Sequence, residues 1–397
     1  MITNYEEYNV DLGDIYCDAF ECVPKYYSVF PSWYVDKILD NIYPDGDRTG
    51  YMWNTGYNGS GELGDNTTVN KSSPIQIGSL TQWSSSRAGS AYTAAIKTDG
   101  TLWTWGYNIT GQLGNGSIAN RSSPTQVGTL TNWKQVSCGY QHAGAIKTDG
   151  TIWSWGNNQY GQLGDGTVVS RSSPVQIGAL TNWKSVHCGT AHIAAIKTDG
   201  TLWIWGYNVY GALGDGSIAN RSSPIQIGTL TNWKSVQCGG FHTAAIKTDG
   251  TLWAWGYNIN GQLGDNTRVD KSSPVQIGSL TNWSRVECGD LHTAAIKTDG
   301  TLWAWGFNNY GQLGIGSTAN RSSPTQVGAL TNWKQVSCGT QYTAAIKTDG
   351  TLWSYGYNSN GQLGSGTTTS RSSPAQVGTL NTWKYIACGD EHSVFIK

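Results

Sequence analysis

Between Trp233 and Ile277 the chain alternates apolar and polar positions in four short bursts separated by glycine. Trp233-Lys-Ser-Val-Gln-Cys238 alternates and stops at Gly239, which predicts a strand. Thr243-Ala-Ala-Ile-Lys247 predicts a second, and Asp249-Gly250 a two-residue hairpin turn, because glycine tolerates a positive φ and aspartate bonds its own backbone. Leu252-Trp-Ala-Trp255 predicts the third strand, with Trp253 and Trp255 on one face because strands repeat every second residue. A glycine-punctuated loop follows, Asn258-x-x-Gly261-Gln-Leu-Gly264. Ser272-Ser-Pro274-Val-Gln-Ile277 is a fourth extended piece, and its proline suits a sheet edge, where a missing donor is tolerated.

This pattern recurs every 50 residues, seven times, without insertion or deletion. Four antiparallel strands per unit make a propeller blade. One blade cannot bury both faces of its sheet, so neighbours must stack, and the tryptophan columns are expected between blades. The array enters at Gly50-Tyr-Met-Trp53, which matches the strand after the Asp-Gly turn, and stops at Phe395-Ile-Lys397, the strand before it. Pairing these halves would close the ring without an exposed edge. The expected fold is all-β: a closed seven-bladed β-propeller over 49–397, with one blade shared by the two chain ends. Residues 1–48 form a separate N-terminal arm with one short helix.

Gly (52) and Trp (20) are abundant and charged residues only 13%, as expected of glycine-turned, aromatic-packed strands. The net charge of −1 hides an asymmetry. Residues 1–48 hold ten acidic groups against Lys25, Lys37 and Arg48, a balance of −7, which leaves +6 on the repeats. So mild a field carries no nucleic-acid footprint. No stretch approaches the roughly 18 apolar residues of a membrane span. Met-Ile-Thr-Asn-Tyr-Glu-Glu lacks the basic and apolar regions of a secretory signal. Asn108, Asn120, Asn220 and Asn320 head Asn-x-Ser/Thr triplets and are read as turn residues.

Trp-x-x-Val-x-Cys-Gly-x-x-His-x-Ala-Ala-Ile-x-x-Asp-Gly, then Leu-Trp-x-Trp-Gly-x-Asn-x-x-Gly-Gln-Leu-Gly, resembles the repeat of the regulator-of-chromosome-condensation family across roughly 49–397. Cys238, Gly239, His242, Asp249, Gly250, Trp255, Gly256, Asn258, Gly261, Gln262, Leu263 and Gly264 fall in that register. The resemblance implies a seven-bladed propeller but fixes no function, since the family includes an exchange factor for a nuclear GTPase, a plant photoreceptor and a β-lactamase inhibitor. The photoreceptor's Gly-Trp-Arg-His-Thr motif is replaced here by Gly240-Phe-His-Thr243. The Ser-Ser-Pro and Leu-Thr-Asn-Trp spacers look most like phage- or bacteria-encoded versions.

Cys138, Cys188, Cys238, Cys288 and Cys388 each precede a histidine by four residues, and Cys338 precedes Tyr342. Thiolate and imidazole are zinc ligands. Yet Ala88 and Tyr92 stand at these positions in the first unit, so the column is read as structural, with no metal and no cofactor. Asp165-Gly and Asp215-Gly give way to Ile315 and Ser365 in other units, which favours turn formation over calcium binding. Cys17 and Cys22 are read as reduced. No catalytic set stands out, and the chain is not expected to be an enzyme.

Differences between units gather in three loops. After Cys-Gly come Tyr140, Phe241 and Leu291. Before Gly-Gln-Leu-Gly come Tyr160, Tyr210 and Tyr310. The third loop contrasts Asn66–Asn70 with Gly116–Asn120. Rigid scaffolds carry recognition on loops, so these six side chains are candidate anchors for a protein or glycan surface, against a second reading of neutral variation. In the arm, Tyr34, Val35, Ile38, Leu39 and Ile42 fall at helical spacing between Ser32 and Pro44 and are candidates for docking on another subunit. The resulting expectation is a non-enzymatic propeller. It would serve as a phage virion protein anchored by its arm, with a host surface protein or glycan on its loops. The alternative is a cytoplasmic regulator acting by protein–protein binding, as an exchange factor or an enzyme inhibitor.

Overall fold

A computed structural model describes residues 50–79 and 82–397. It contains seven four-stranded antiparallel sheets. Blade 1 comprises Trp83–Ala88, Tyr92–Lys97, Leu102–Gly106 and Arg121–Gln126, in that order from inside to outside. Blades 2 to 6 repeat it at 50-residue steps, their first strands beginning at Trp133, Trp183, Trp233, Trp283 and Trp333. Blade 7 is composite: Tyr385–Cys388 and His392–Ile396 join Met52–Gly56 and Lys71–Gln76. Met52 pairs with Ile396 and Gly56 with His392 across the closing seam, so the ring closes as the register of the chain ends requires.

The tryptophans bind blade to blade. Trp255 of blade 4 is fully buried among Ile196, Leu202, Ile204 and Leu213 of blade 3, and its Nε1 donates to Ala212 O at 2.9 Å. Gly214, at φ +75, lies under this ring, and a Cβ there would stand 2.6 Å from Trp255 Nε1. The second glycine of Gly-Gln-Leu-Gly is therefore where the next blade's tryptophan seats. Each such ring removes roughly 150–250 Å² from water, an upper bound of about 4–6 kcal/mol. Blade 7 solves the contact differently. Thr55 occupies the tryptophan position, and Phe395 stands where blade 4 has Ala245 and packs 5.4 Å from Trp383.

One turn differs from the sequence expectation. Gly250 N donates to Lys247 O, and Lys247 N to Thr251 O, so the loop holds three residues, Thr248-Asp249-Gly250. Only the glycine takes a positive φ, +79. This is a turn closed by a glycine bulge rather than a two-residue hairpin. Asp249 accepts Thr251 N and Oγ1, and Thr251 Oγ1 in turn accepts Trp253 Nε1. Lys247 Nζ lies 3.6 Å above the Trp253 ring, a cation–π contact repeated from Lys97 to Lys347.

Candidate functional site

Strand direction decides where the variable loops lie. The first strand of each blade runs toward the Cys-Gly turn, the second returns, and the third runs back toward the same end before the long loop through Gly-Gln-Leu-Gly. All three variable loops therefore share one face of the propeller. The Asp-Gly turns and the Leu-Thr-Asn-Trp linkers share the other.

On the loop face the tyrosines before Gly-Gln-Leu-Gly lean across to the next blade. Tyr160 stacks on Tyr207 at 4.8 Å and Tyr210 on Tyr257 at 4.6 Å. Phe241 packs 5.6 Å from Tyr207 and 5.5 Å from Tyr210. The candidates Tyr160, Tyr210 and Phe241 thus join Tyr207 and Tyr257 in one continuous aromatic strip over blades 2 to 4. Partial burial, then the neighbouring Tyr210 and Tyr160 hydroxyls, raises the Tyr207 phenol above its ordinary range. Tyr310 belongs to a second cluster, 4.9 Å from Tyr357 and 6.3 Å from Phe307. Tyr140 stands apart, 46% exposed at the mouth of the central channel. Leu291 is half-buried, and its carbonyl accepts Phe307 N. Tyr34, Val35, Ile38, Leu39 and Ile42, with the predicted arm helix, lie outside the described residues.

The third loop is a brace. Asp165 accepts Asn158 Nδ2 and Thr167 Oγ1 and pairs with Arg171 at 3.0 Å; Asp215 pairs with Arg221 at 2.7 Å. These bonds give the Asp-Gly loops a turn-holding role. Asn66 and Asn266 adopt the positive φ that glycine takes in the other blades, which accounts for the Asn/Gly alternation.

Four raised carboxyls also lie on the loop face, Glu62, Asp390 and Glu391 on blade 7 and Asp290 on blade 5. Glu62 replaces the glutamine of Gly-Gln-Leu-Gly and is fully buried, with Oε1 unpartnered; burial pushes its carboxyl up to about 7. Burial, reinforced by the negative charge of Asp390, raises Asp290 to about 6 at the channel mouth and also raises Glu391. Asp390, raised by burial, accepts Thr340 Oγ1 at 2.8 Å. Partial burial, then Tyr210, Asp270 and Asp290, raises the Tyr257 phenol, so rings and carboxylates meet on this face.

The Cys-x-x-x-His column points in two directions. Cys238 Sγ faces back to His187 O, while His242 Nε2 reaches forward to Thr293 Oγ1 at 2.9 Å. Thr293 Oγ1 donates on to Gln262 O. The exceptions follow the same geometry. Tyr92 reaches His142 O over Ala143, and Tyr342 reaches His392 O beside Ser393. Ile193 stands where threonine would be, and His142 has no partner on either ring nitrogen. The column is therefore a stitch between blades. Among the described residues no group of three His, Cys, Asp or Glu side chains is placed to hold a metal ion. All six cysteines among the described residues are free thiols.

Two features escaped the comparison of repeats. Tyr207 and Tyr257 recur in most units and so read as scaffold, although they carry the aromatic strip. The channel-facing column of Arg87, Ser137, His187, Gln237, Glu287, Ser337 and Ala387 is among the most varied in the array, and lies inside a strand rather than in a loop.

Residues 47–286 match the RCC1-like domain, and 299–346 and 349–396 each match the regulator of chromosome condensation (RCC1) repeat. No curated protein matches the sequence significantly. Among solved structures, human WBSCR16 superposes with a TM-score of 0.79 at 22% identity, covering 88% of this chain and 99% of its own. Prp20p from Saccharomyces cerevisiae, described with its binding properties to Gsp1p and histones, gives 0.79 at 20% identity, covering 88% and 91%. Yeast RCC1 bound to Kap60 gives 0.80 at 19% identity, covering 90% and 92%. At these identities the structures establish the shared fold alone. With the closed ring of blades and a domain match over most of the propeller, this chain belongs to the RCC1-like domain family.

Proposed function

We propose that the chain is a non-enzymatic binding propeller that takes a protein partner on its loop face. The observation that carries this reading is the strip of Tyr160, Tyr207, Tyr210, Phe241 and Tyr257, half-buried to partly exposed rings on a rigid sheet scaffold. Rigid aromatics bury large area at small entropic cost and are enriched among interface hot spots. Of the finer readings, a regulator acting through protein binding draws more support than a virion subunit. Prp20p binds Gsp1p and histones, and none of the relatives named above is a virion protein.

Affinity purification with the wild-type chain, a Tyr210→Ser/Phe241→Ser variant and a Leu230→Ser/Leu280→Ser variant tests the proposal. Leu230 and Leu280 are exposed on the opposite face. A partner lost only from the loop-face variant is expected. A partner lost only from the linker-face variant would sink the proposal. Accelerated release of labelled GDP from a small GTPase would assign the partner class.

A further inference from the structure

The +6 of the repeats is not spread over the propeller; it lies on the linker face. Lys97 and its equivalents, at 50-residue steps to Lys397, flank the Asp-Gly turns. Lys134, Lys184, Lys234, Lys334 and Lys384 directly follow the linker tryptophans and are exposed. Against these twelve lysines stand the six turn aspartates, Asp99 to Asp349. The other ten basic and ten acidic side chains of residues 50–397 belong to the loop face and the channel, and they cancel. The two sets also differ in kind. Every basic residue of the linker face is a lysine, whereas eight of the other ten are arginines. The arginine fork suits fixed, bidentate contacts, while the lysine ammonium is a hydrated point charge that acts through its field.

Apolar side chains are interleaved with these charges. Leu130, Leu180, Leu230, Leu280, Leu330 and Leu380, one in each linker, are 40–50% exposed. Each precedes the exposed lysine position by four residues. The linker is held by its backbone instead: Trp233 N donates to Gly200 O, and Asn232 O accepts Thr248 N. One exposed leucine needs no explanation, but a full ring of them does. Equivalent positions of a closed ring share one height along its axis, so the leucines and lysines form a flat annulus.

We propose that the linker face docks on an anionic lipid membrane surface, with the leucines at the headgroup boundary and the lysines among the headgroup charges. Interfacial binding grows with buried apolar area and with attraction to anionic lipid, and this face supplies both. Its flatness and repetition select a bilayer over a protein. A protein partner would meet several near-identical sectors and fit one, whereas a bilayer is flat and offers every sector the same headgroups. Contacts that are weak singly then add as a multivalent set. The long lysine stems let the ammonium groups reach outward beside the leucines. This inference is independent of the loop-face reading, because it uses the opposite face.

Flotation of the full chain, with the opposing −7 of residues 1–48 in place, tests it. The probes are phosphatidylcholine vesicles with and without about a third phosphatidylserine. Binding to the phosphatidylserine vesicles is expected, at least tenfold tighter than to phosphatidylcholine alone. Lys184→Ser/Lys234→Ser should weaken it at least fivefold. Serine already stands at this position in blades 1 and 5, at Ser84 and Ser284, so the variant suits the fold, and its thermal melt checks this. Leu230→Ser/Leu280→Ser should weaken it as well, and Tyr210→Ser/Phe241→Ser should leave it unchanged. No flotation, equal binding to both vesicles, or loss in the loop-face variant alone would overturn the proposal. So would binding that the leucine variant leaves intact, since that would make the face a site for any polyanion.

Discussion

Lowering the pH from about 7.5 to about 5 should cost this propeller much of its stability, and the histidine stitch sets the amount. His142 is held at about 4 and His192, His242, His292 and His392 at about 3, in each case chiefly by burial away from water. An unfolded chain titrates its imidazoles near 6.5. The folded values lie below the unfolded ones, so between them the unfolded state binds more protons. Stability is complete above about pH 6.5 and declines as the pH falls, down to the folded values. At pH 5 each ring has withdrawn about 2 kcal/mol, and the five together about 10 kcal/mol. His187, outside the stitch and held at about 3 chiefly by burial, adds about 2 kcal/mol. Four carboxyls act in the opposite sense. Glu62 at about 7, Asp290 at about 6, Asp390 and Glu391 are raised on folding, so the folded state takes up their protons first. Glu62 and Asp290 return about 4 kcal/mol over the same interval. The net loss is at most about 8 kcal/mol, comparable with the whole stability of many domains.

Urea unfolding followed by tryptophan fluorescence at both pH values measures this loss. The double variant His242→Tyr/Thr293→Ser separates the column from general acid effects, because Tyr342 and Ser393 already form this pair across the seam of blades 6 and 7. It should reduce the pH dependence by about 2 kcal/mol. Equal stability at the two pH values, or a variant with undiminished pH dependence, would refute the reasoning.

Other expectations use the repeat's own alternatives. Tyr355, over Gly314, stands at the position that Trp305 holds one blade earlier, where Trp305 donates to Gln262 O, and its hydroxyl is buried without a partner; Tyr355→Trp should stabilise by about 1 kcal/mol in urea titration. Gly214→Ala places a methyl 2.6 Å from Trp255 Nε1 at φ +75 and should cost about 3 kcal/mol or more, read as a lower urea midpoint. Lys247→Met keeps the aliphatic stem but removes the ammonium over Trp253, and a urea titration should show a loss of about 0.5–1 kcal/mol that high salt reduces.

Much of the architecture follows from period-two alternation and glycine spacing: the four strands per blade, the tryptophans between blades, and the seam that pairs Met52–Gly56 with His392–Ile396. The turn type did not follow, because Asp-Gly serves both a two-residue hairpin and a three-residue loop, and the choice depends on the bond from Gly250 N to Lys247 O. The common face of the variable loops was implicit in the alternation of strand direction, and needed only a count of reversals. The aromatic strip was not, since its contacts join positions 47 residues apart, such as Tyr160 and Tyr207.

The exceptions in the columns carry most of the physical information. A tyrosine in the histidine column has Ala143 or Ser393 on the following blade, where room is needed. Ile193 in the threonine column leaves His142 unbonded. Thr55 in the tryptophan column is matched by Phe395 in the alanine column. Each exception is half of a pair whose other half lies on a neighbouring strand or blade, so the packing is specified between units rather than within them. The channel column follows the same rule with polar groups: Arg87, His187, Gln237 and Glu287 differ from one another while the strands bearing them stay nearly constant, and Gln237 Nε2 donates to Glu287 on the next blade at 3.1 Å.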